Sequence, residues 1–430
     1  MLNYISYSKE ITLFWNPKTH DSISYAIYMG GEKIGENNHS FFRIFNLTPE
    51  SNYDIEIKEI LKNKEEVLLY KKTCTTKPLK KAIRIDYPPY NAIGDGITNN
   101  TLSIQNAIND CDKDHVVVIP EGIFLTGALR LYSDTELYIE KNGVLKGSEK
   151  SVDYLPLINS RFEGWESKCY SSLINIGELN HNSGVTTKNI TIHGEGQIIG
   201  GGIELLYDSI GISGSTKLEK EEKLLFYQEN LSSDKEKRYR KRGRLISINN
   251  AKDVIIDGPT LSNSPSWNIH IVYSSDVTIC GVQINSKDIW NGDGINPDSS
   301  KNIYIFDSVF DTGDDAIAIK SGKNPEGNII NIPTENINIF SCKILKGKSH
   351  GFAIGSEVSG GISNINIWDS DFSNSFFGLH IKTTKKRGGY IKNIKLNNIN
   401  INNKEGMKDY HIENCSLVFV DNIEVKNEEM

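Results

Sequence analysis

The chain has 430 residues and a net charge of −7, with 38% hydrophobic and 24% charged residues. This length predicts two units or one elongated unit, and the composition excludes a long disordered chain. The acidic balance gives no overall field that attracts nucleic acid, and no apolar run approaches the ~20 residues that span a bilayer membrane. An anionic ligand would therefore need a local group of basic residues.

The six cysteines lie far apart, and none forms a Cys-x-x-Cys pair. We therefore expect free, mostly buried thiols and no zinc site. The N-terminus has no basic segment followed by an apolar one. We expect a cytoplasmic protein, or a secreted one if a signal peptide was removed.

Residues 1–76 predict a small all-β module. Short alternating runs such as EITLFW and YDIEIKEI are separated by clusters of Gly, Asn, Pro and Lys, which is the spacing of a β-sandwich. The segment NLTPESNYDIEI resembles the fibronectin type III pattern, and Trp15 lies where such modules keep a core tryptophan. We expect a linker at 77–82 and a second domain at 83–430.

The second domain begins with one predicted helix in NNTLSIQNAINDC, where Leu102, Ile104, Ile108 and Cys111 recur at helical spacing. A later segment, 217–244, is rich in charged residues and also predicts a helix. This insertion is either a solvated flap or a wall that closes one end of a groove.

A hexapeptide recurs through the second domain. Its copies, such as NITIHG and NINIFS, begin at positions 189, 253, 276, 302, 336, 364, 393 and 422. Each copy alternates apolar and polar residues, and Gly, Asn, Asp and Ser lie between the copies instead of helices. The pattern predicts a parallel β-helix, in which an asparagine at one corner can hydrogen-bond its copy in the next coil.

The strands that follow the hexapeptides allow the coils to be stacked from the sequence alone. Aligning Ile295, Ile317, Phe352 and Leu379 points these residues inward and their neighbours outward. With strands ~4.8 Å apart, the polar groups then share one strip over about four coils, with small residues as the floor of a groove. The members of this strip are Asp298, Asp314, Asp315, His350, His380 and Lys382.

Three neighbouring aspartates, Asp298, Asp314 and Asp315, suit glycoside hydrolysis, which needs one protonated and one ionised carboxyl group. Crowding raises the pKa of one member and keeps it protonated near neutral pH. The alternatives are a solvated turn, a purely structural His350, or a calcium site of the kind that some lyases use. The position of all these groups on one strip favours catalysis.

Four ordered segments, NGDGINPDSS, DTGDDAIAIKSG, SHGFAIGSEVSGG and GLHIKTTKKRGG, resemble the signatures of the polygalacturonases, family 28 of the glycoside hydrolases. The likeness extends upstream to RFEGWE and LSNSPSWNIH and covers residues 83–430. It implies a right-handed parallel β-helix that hydrolyses α-1,4-galacturonosidic bonds of oligogalacturonides with inversion, without a cofactor or a metal. A fibronectin-like module also occurs in bacterial exo-acting members, so we expect exo action.

The resemblance also implies catalytic roles. Asp314 is expected to be the general acid, and Asp298 and Asp315 the pair that activates water. His350 matches the histidine that supports the acid.

Substrate binding is expected at Asn296, His380, Lys382 and Arg387. Lys382 matches the family's lysine that binds a uronate carboxylate. The family usually has arginine two residues before it, where this chain has His380, and an imidazole neither binds a carboxylate bidentately nor stays charged. Arg387, in the basic run 385–387, could compensate from the next turn.

Two other functions stay open. His380 is compatible with hydrolysis of rhamnogalacturonan or unsaturated oligogalacturonides on the same fold. A β-helix can also bind a polysaccharide without cleaving it, although the set of Asp298, Asp314, Asp315 and His350 argues against this.

Overall fold

A computed structural model describes residues 1–17, 22–212, 216, 219–223, 225, 241–345, 350–400 and 408–413. The chain divides into two compact units, Met1–Lys81 and Ala82–Met430. Most of the predicted charged insertion and the last predicted repeat, at 422, lie outside the described residues. No helix in the described ranges is long and apolar enough to cross a membrane.

The first unit contains two antiparallel sheets. One core serves both sheets, and in it Trp15 is fully buried and meets the Tyr25 ring edge to face at 5.2 Å. Alternating apolar residues build this core, as the sequence predicts, and the assignment to the fibronectin type III class stays a prediction. The strands are β1 (Leu2–Ser6), β2 (Ile11–Trp15), β3 (Ser22–Met29), β4 (Glu32–Asn37), β5 (Phe41–Ile44), β6 (Asn52–Leu61) and β7 (Glu66–Thr75).

The second unit is a parallel β-helix, which confirms the predicted fold class. Its larger sheet contains β8 (Lys81–Arg84), β9 (Asp95–Asn99), β10 (His115–Ile119), β11 (Gly122–Thr126), β13 (Glu136–Ile139), β14 (Gly143–Gly147), β18 (Thr187–His193), β19 (Gln197–Ile199), β21 (Ala251–Asp257), β22 (Thr260–Ser262), β24 (Ser275–Cys280), β25 (Gln283–Ser286), β27 (Lys301–Phe306), β28 (Val309–Thr312), β30 (Thr334–Phe340), β31 (Lys343–Ile344), β33 (Ile362–Asp371) and β35 (Ile391–Asn400).

A second parallel sheet, called here the site sheet, carries the predicted functional residues. Its strands are β12 (Leu129–Leu131), β17 (Ile174–Ile176), β20 (Ile246–Asn249), β23 (Ile269–Val272), β26 (Ile295–Asp298), β29 (Ile317–Ile319), β32 (His350–Gly355), β34 (Phe377–Lys382) and β36 (Lys408–Glu413). Ile295, Ile317, Phe352 and Leu379 stack in the predicted register and are buried in the core.

The repeated hexapeptides form the predicted corner ladder. Asn336 Nδ2 donates to Asn302 Oδ1 at 3.1 Å, and Asn364 Nδ2 donates to Asn336 Oδ1 at 3.2 Å. These residues have φ values between 57° and 59°, a left-handed conformation that asparagine tolerates better than most residues. Asparagine therefore recurs here because it both turns the chain and links successive coils.

A few elements interrupt the coils. They are α1 (Thr101–Asn109), α2 (Gly202–Ser209), a short helix at Glu326–Ile330, 3₁₀ turns at Ser151–Tyr154 and Lys385–Arg387, and the antiparallel hairpin of β15 (Ile158–Phe162) and β16 (Trp165–Cys169). Helix α1 confirms the predicted helix and buries Ile104 and Ile108, whereas Leu102 is 73% exposed.

Five of the six cysteines fall within the described residues, and all five are free thiols. Four are buried, and Cys111 is partly exposed. This agrees with the expectation of free, mostly buried thiols.

Candidate active site

Polar side chains gather where three strands of the site sheet begin. Strands β26, β29 and β32 pair in the register that the sequence predicts. That register brings Asp293, Asp315 and His350 into one column, each two residues before an inward-facing core residue. The column is therefore a direct product of the β-helix repeat.

Glycines allow the turns that carry these aspartates to pack closely. A Cβ atom on Gly294 would lie 2.3 Å from Ala316 O, and one on Gly313 would lie 2.3 Å from Ile289 O. Only glycine fits such close approaches of backbone. Gly294 N also donates to Asp315 O at 3.0 Å. Glycine is thus required at both positions for the two turns to pack, and this packing brings the aspartates of neighbouring turns close together.

Asp315 is held as an ionised carboxylate by two neighbours. His350 Nδ1 hydrogen-bonds Asp315 Oδ1, and Lys382 Nζ lies 3.5 Å from Asp315 Oδ2. Burial alone would raise the pKa of Asp315, but the hydrogen bond from His350 and the charge of Lys382 hold that pKa below its usual value. The sequence predicts support of Asp314 by His350, whereas the structure brings His350 to Asp315.

Asp293 is buried in the same cluster, but its pKa shifts in the opposite direction to that of Asp315. Burial and the charge of Asp314 raise the pKa of Asp293 well above its usual value, and Lys320, with Nζ 3.7 Å from Asp293 Oδ2, opposes them. Asp314 is half-buried, and its Oδ1 accepts a hydrogen bond from Asp315 N at 3.0 Å. The charge of Asp314 therefore favours the protonated form of Asp293, whereas Asp315 stays ionised.

This arrangement supplies both forms of carboxyl group that glycoside hydrolysis needs. The raised pKa of Asp293 favours a protonated carboxyl group, and the lowered pKa of Asp315 keeps an ionised carboxylate in the same cluster. Within the described ranges, no three His, Cys, Asp or Glu side chains come together as a candidate metal site.

Asp298 does not lie in this cluster, which corrects the sequence-based prediction that it shares an open strip with Asp314 and Asp315. Its side chain is completely buried. Arg161 Nη1 and Gly322 N each lie 3.1 Å from Asp298 Oδ1, and His270 Nε2 lies 3.3 Å from Oδ2. Although burial opposes it, the charge of Arg161 lowers the pKa of Asp298. These partners occupy the oxygens that an attacking water would need.

The hairpin β15–β16 is the element that buries Asp298. Besides supplying Arg161, it stacks Phe162 on Trp267 with ring centroids 5.5 Å apart, and Trp165 Nε1 donates to Asn324 O at 3.1 Å. The hairpin thus covers the outward face of the site sheet around the end of β26. The period-2 pattern correctly places Asp298 on the outward side of the sheet, but it does not reveal that the hairpin covers that side.

The predicted substrate-binding residues on β34 lie beside the cluster. Lys382 is partly exposed and close to Asp315, as described above. His380 is buried, and its ring lies 4.1 Å from that of His350 and 5.2 Å from that of Phe377. The position predicted to depart from the family pattern therefore contributes to an aromatic surface next to the carboxylates.

The other two predicted binding residues have different environments. Asn296 is fully buried in the site sheet, in register with His270. Arg387 Nη1 donates to Asn324 Oδ1 at 2.7 Å, and the Arg387 carbonyl accepts from Asn328 Nδ2 at 2.8 Å. Their predicted contacts with substrate stay predictions.

Sequence reasoning missed Asp293, although the signal was present. The predicted alignment of Ile295, Ile317 and Phe352 also aligns the residues two positions earlier, which are Asp293, Asp315 and His350. Lys320 follows the inward-facing Ile319 and points outward by the same alternation, but its sequence context indicates no role. Arg161 begins the segment RFEGWE, but its contact with Asp298 joins residues 137 positions apart and could not be read from that segment.

The fold and the site define a parallel β-helix protein with a cluster of carboxylates and cations on one sheet. Residues 173–414 match the sequence model of the family described as "Glycosyl hydrolases family 28", and the chain belongs to that family.

Curated relatives and solved structures agree with this membership. The chain is 32% identical over 316 residues to a "Probable polygalacturonase" of Vitis vinifera, covering 71% of this chain and 58% of that protein. It is 30% identical over 342 residues to an "Exo-poly-alpha-D-galacturonosidase" of Dickeya chrysanthemi, covering 76% and 56%. The chain thus spans a little over half the length of these two relatives.

Two solved structures are similar to the chain over most of its length. An exopolygalacturonase of Thermotoga maritima has a TM-score of 0.62 at 30% identity, covering 80% of each chain. A family 28 exopolygalacturonase of Yersinia enterocolitica has a TM-score of 0.82, covering 98% of this chain and 91% of that one. At 20% identity, the latter shows the fold alone.

Proposed function

We propose that this chain hydrolyses α-1,4-galacturonosidic bonds of pectin-derived galacturonides with inversion at the anomeric carbon. The observation that carries the proposal is the cluster of Asp293, Asp314 and Asp315 with Lys382 at its edge. Membership of family 28 and the names of the relatives support a galacturonan substrate over a binding-only role.

The acid in this mechanism is Asp314. It is the least buried carboxyl group of the cluster, so it can reach the glycosidic oxygen of a bound substrate. Asp293 and Asp315 then act on the water that attacks from the opposite face of the sugar, which replaces the predicted pair of Asp298 and Asp315. In an inverting enzyme the acid and the base stand ~6.5–9.5 Å apart to admit this water.

The remaining groups position these three. His350 orients Asp315 through its hydrogen bond. Lys382 provides the local positive charge that an acidic protein needs for a uronate, and an approaching carboxylate would compete with Asp315 for it. His380 and Phe377 would form the wall of the same subsite.

We propose further that cleavage proceeds from a chain end. The hairpin β15–β16 covers the site sheet beside the cluster and would block a long chain there. Relatives at 30% identity are named both exo-acting, as in Dickeya chrysanthemi, and endo-acting, as in Pectobacterium parmentieri, so names alone do not decide.

The test is a time course on a defined saturated oligogalacturonide, with products separated by length and anomers followed by proton NMR. We expect one short product to accumulate from the start and the inverted anomer to appear first. An early ladder of intermediate lengths would refute exo action, and the retained anomer would refute inversion. Asp314→Asn should lose turnover while keeping most of its affinity for the oligosaccharide, and full activity in that variant would refute its role as acid.

A further inference from the structure

Phe376 is a large apolar residue at the edge of the carboxylate cluster. It lies just before β34 and is 48% exposed. Exposure alone carries no meaning, because single apolar side chains are common on protein surfaces. Phe45 in the first unit, for example, is 57% exposed. What distinguishes Phe376 is its position in the coil and the rings that it contacts.

The column of functional residues continues into β34. His350 is in register with Phe377, so an aromatic ring follows Asp315 and His350 in the same column. Phe377 thus lies two coils beyond Asp315. The residues that directly precede these two, Phe376 and Asp314, occupy the neighbouring position of their coils. With strands ~4.8 Å apart, their backbones are separated by about 10 Å along the stacking direction.

Ring contacts join Phe376 to the cluster. Its ring meets that of Phe377 edge to face with centroids 4.7 Å apart, and that of His350 edge to face at 6.4 Å. The Phe377 ring stacks on His350 with centroids 5.3 Å apart and 9° between the ring planes. Since His350 Nδ1 hydrogen-bonds Asp315 Oδ1, this group of rings borders the ionised carboxylate.

Lys382 approaches the same carboxylate from its other oxygen, with Nζ 3.5 Å from Asp315 Oδ2. A sugar unit bound next to the cluster would therefore meet a cation and an aromatic surface together. The two groups recognise different parts of a uronate. The ammonium attracts the carboxylate, whereas a flat ring packs on the C–H groups of one face of the pyranose.

We propose that Phe376 is a substrate-binding residue whose exposed ring stacks on the pyranose ring of the sugar unit beside Lys382. Asp314 would act on the glycosidic oxygen at one end of this unit, and Phe376, two coils further along, would hold its face. The neighbouring rings orient Phe376 before substrate arrives, so little side-chain entropy is lost on binding. The identity of the sugar rests on the proposed function, whereas the contact itself can be measured without turnover.

The first experiment compares KM and kcat on an oligogalacturonide for the wild type, Phe376→Ala and Phe376→Trp. Phe376→Ala should raise KM about three- to tenfold and keep kcat within about twofold, because stacking contributes equally in the ground state and the transition state. Phe376→Trp keeps a flat ring and should keep KM within about threefold.

Phe45→Ala is the matched control, since it removes an exposed phenylalanine of the first unit. It should change neither KM nor kcat. A fall in kcat with an unchanged KM in Phe376→Ala would overturn the proposal, because the ring would then act through His350 instead of contacting the substrate.

Salt separates the contribution of Phe376 from that of Lys382. The ratio of KM between Phe376→Ala and the wild type should be the same at low and high salt, because stacking involves no net charge. The corresponding ratio for Lys382→Met should fall as salt rises, because ions screen the attraction between the ammonium and a uronate. A ratio for Phe376→Ala that falls as steeply as that for Lys382→Met would contradict stacking.

The second experiment does not need activity. Titration calorimetry with an oligogalacturonide compares Asp314→Asn with the double variant Asp314→Asn/Phe376→Ala, and we expect a Kd about three- to tenfold higher in the double variant. If the wild type does not cleave galacturonides but the second substitution weakens binding, the proposed function fails and the stacking contact stands. If the wild type cleaves and Phe376→Ala changes neither KM nor Kd, the stacking contact fails.

Discussion

Asp293 and Asp298 lie five residues apart, before and at the end of β26, and both are buried. Burial raises the pKa of Asp293 with help from Asp314, whereas Arg161 and His270 overcome burial and lower the pKa of Asp298. The same kind of side chain is thus a carboxyl group with a raised pKa just before the strand and an ion-pair partner of Arg161 at its end. Its neighbours, more than its depth, decide what a buried carboxyl group can do.

The most direct way to break this contrast is the same substitution at both positions. Asp293→Asn should lower kcat by about 10³-fold, because proton transfer by a positioned carboxylate typically contributes on the order of 10²–10⁴. Asp298→Asn should change the kcat of the folded protein by less than about tenfold, because its oxygens contact protein groups instead of substrate. The release of reducing ends, normalised to the folded fraction by circular dichroism, measures both. Equal losses in the two variants would restore Asp298 to the catalytic set.

The effects on stability should have the opposite order, with a larger loss in Asp298→Asn than in Asp293→Asn. Asp298→Asn leaves the Arg161 guanidinium buried without its carboxylate partner, and breaking a buried ion pair in this way costs about 3–5 kcal/mol. Denaturant unfolding monitored by circular dichroism would show it as a lower midpoint. Adding Arg161→Met should recover part of the loss, because an apolar side chain of similar length carries no unpaired charge. A double variant less stable than Asp298→Asn would contradict the ion-pair explanation.

The pH dependence of stability sharpens the comparison further. The folded pKa of Asp293 is raised, so its contribution is present below the unfolded pKa of ~3.9 and is lost as pH rises through the folded value. Asp293→Asn should therefore raise the melting temperature at pH 7 and not at pH 3. The folded pKa of Asp298 is lowered, so its contribution is present above ~3.9 and is lost as pH falls through the folded value. Melting curves between pH 2 and 8 that changed with the same sign for both variants would contradict these assignments.

The smallest effect belongs to the corner ladder, where polar contacts are exposed. Asn336→Ala removes the hydrogen bonds to Asn302 and from Asn364 and places alanine, which tolerates a positive φ less well than asparagine, at a φ of 59°. Because these hydrogen bonds are exposed, the total cost should be about 1–2 kcal/mol. Asn336→Gly keeps the backbone conformation and should cost less. The midpoint of denaturant unfolding measures both. Since both variants lack the same hydrogen bonds, an equal loss in the two would mean that the backbone conformation contributes little, and a larger loss in Asn336→Gly would contradict the conformational argument.

The repeat made most of the β-helix predictable. The hexapeptides fix the stacking, and the register of Ile295, Ile317 and Phe352 follows from period-2 alternation, as the structure confirms. The corner ladder was predictable for the same reason, since each asparagine recurs at one position of the coil. These features follow from a pattern that each coil repeats, so they can be predicted without knowing which distant residues are in contact.

The environment of Asp298 was not predictable in this way. The sequence pattern places it on the outward side, and whether that side is open depends on the hairpin β15–β16, whose Arg161 is far away in the chain. Asp293, by contrast, was within reach of the same register argument, but it lies in a turn and not in a strand. The register of the β-helix therefore extends to the turn residues just before each strand.

The stacking of the site sheet has a consequence for how such a site can change. Successive strands contribute one group each, so separations along the stacking direction come in discrete steps of ~4.8 Å. A substitution changes the length of a side chain, whereas only the gain or loss of a whole coil changes the number of strand spacings between two groups. The distance along the stacking direction between the cations of β34 and the carboxylates before β26 and β29 can therefore change only by whole strand spacings. Adaptation to a new sugar must then rely on side-chain length and on the loops that cover the sheet.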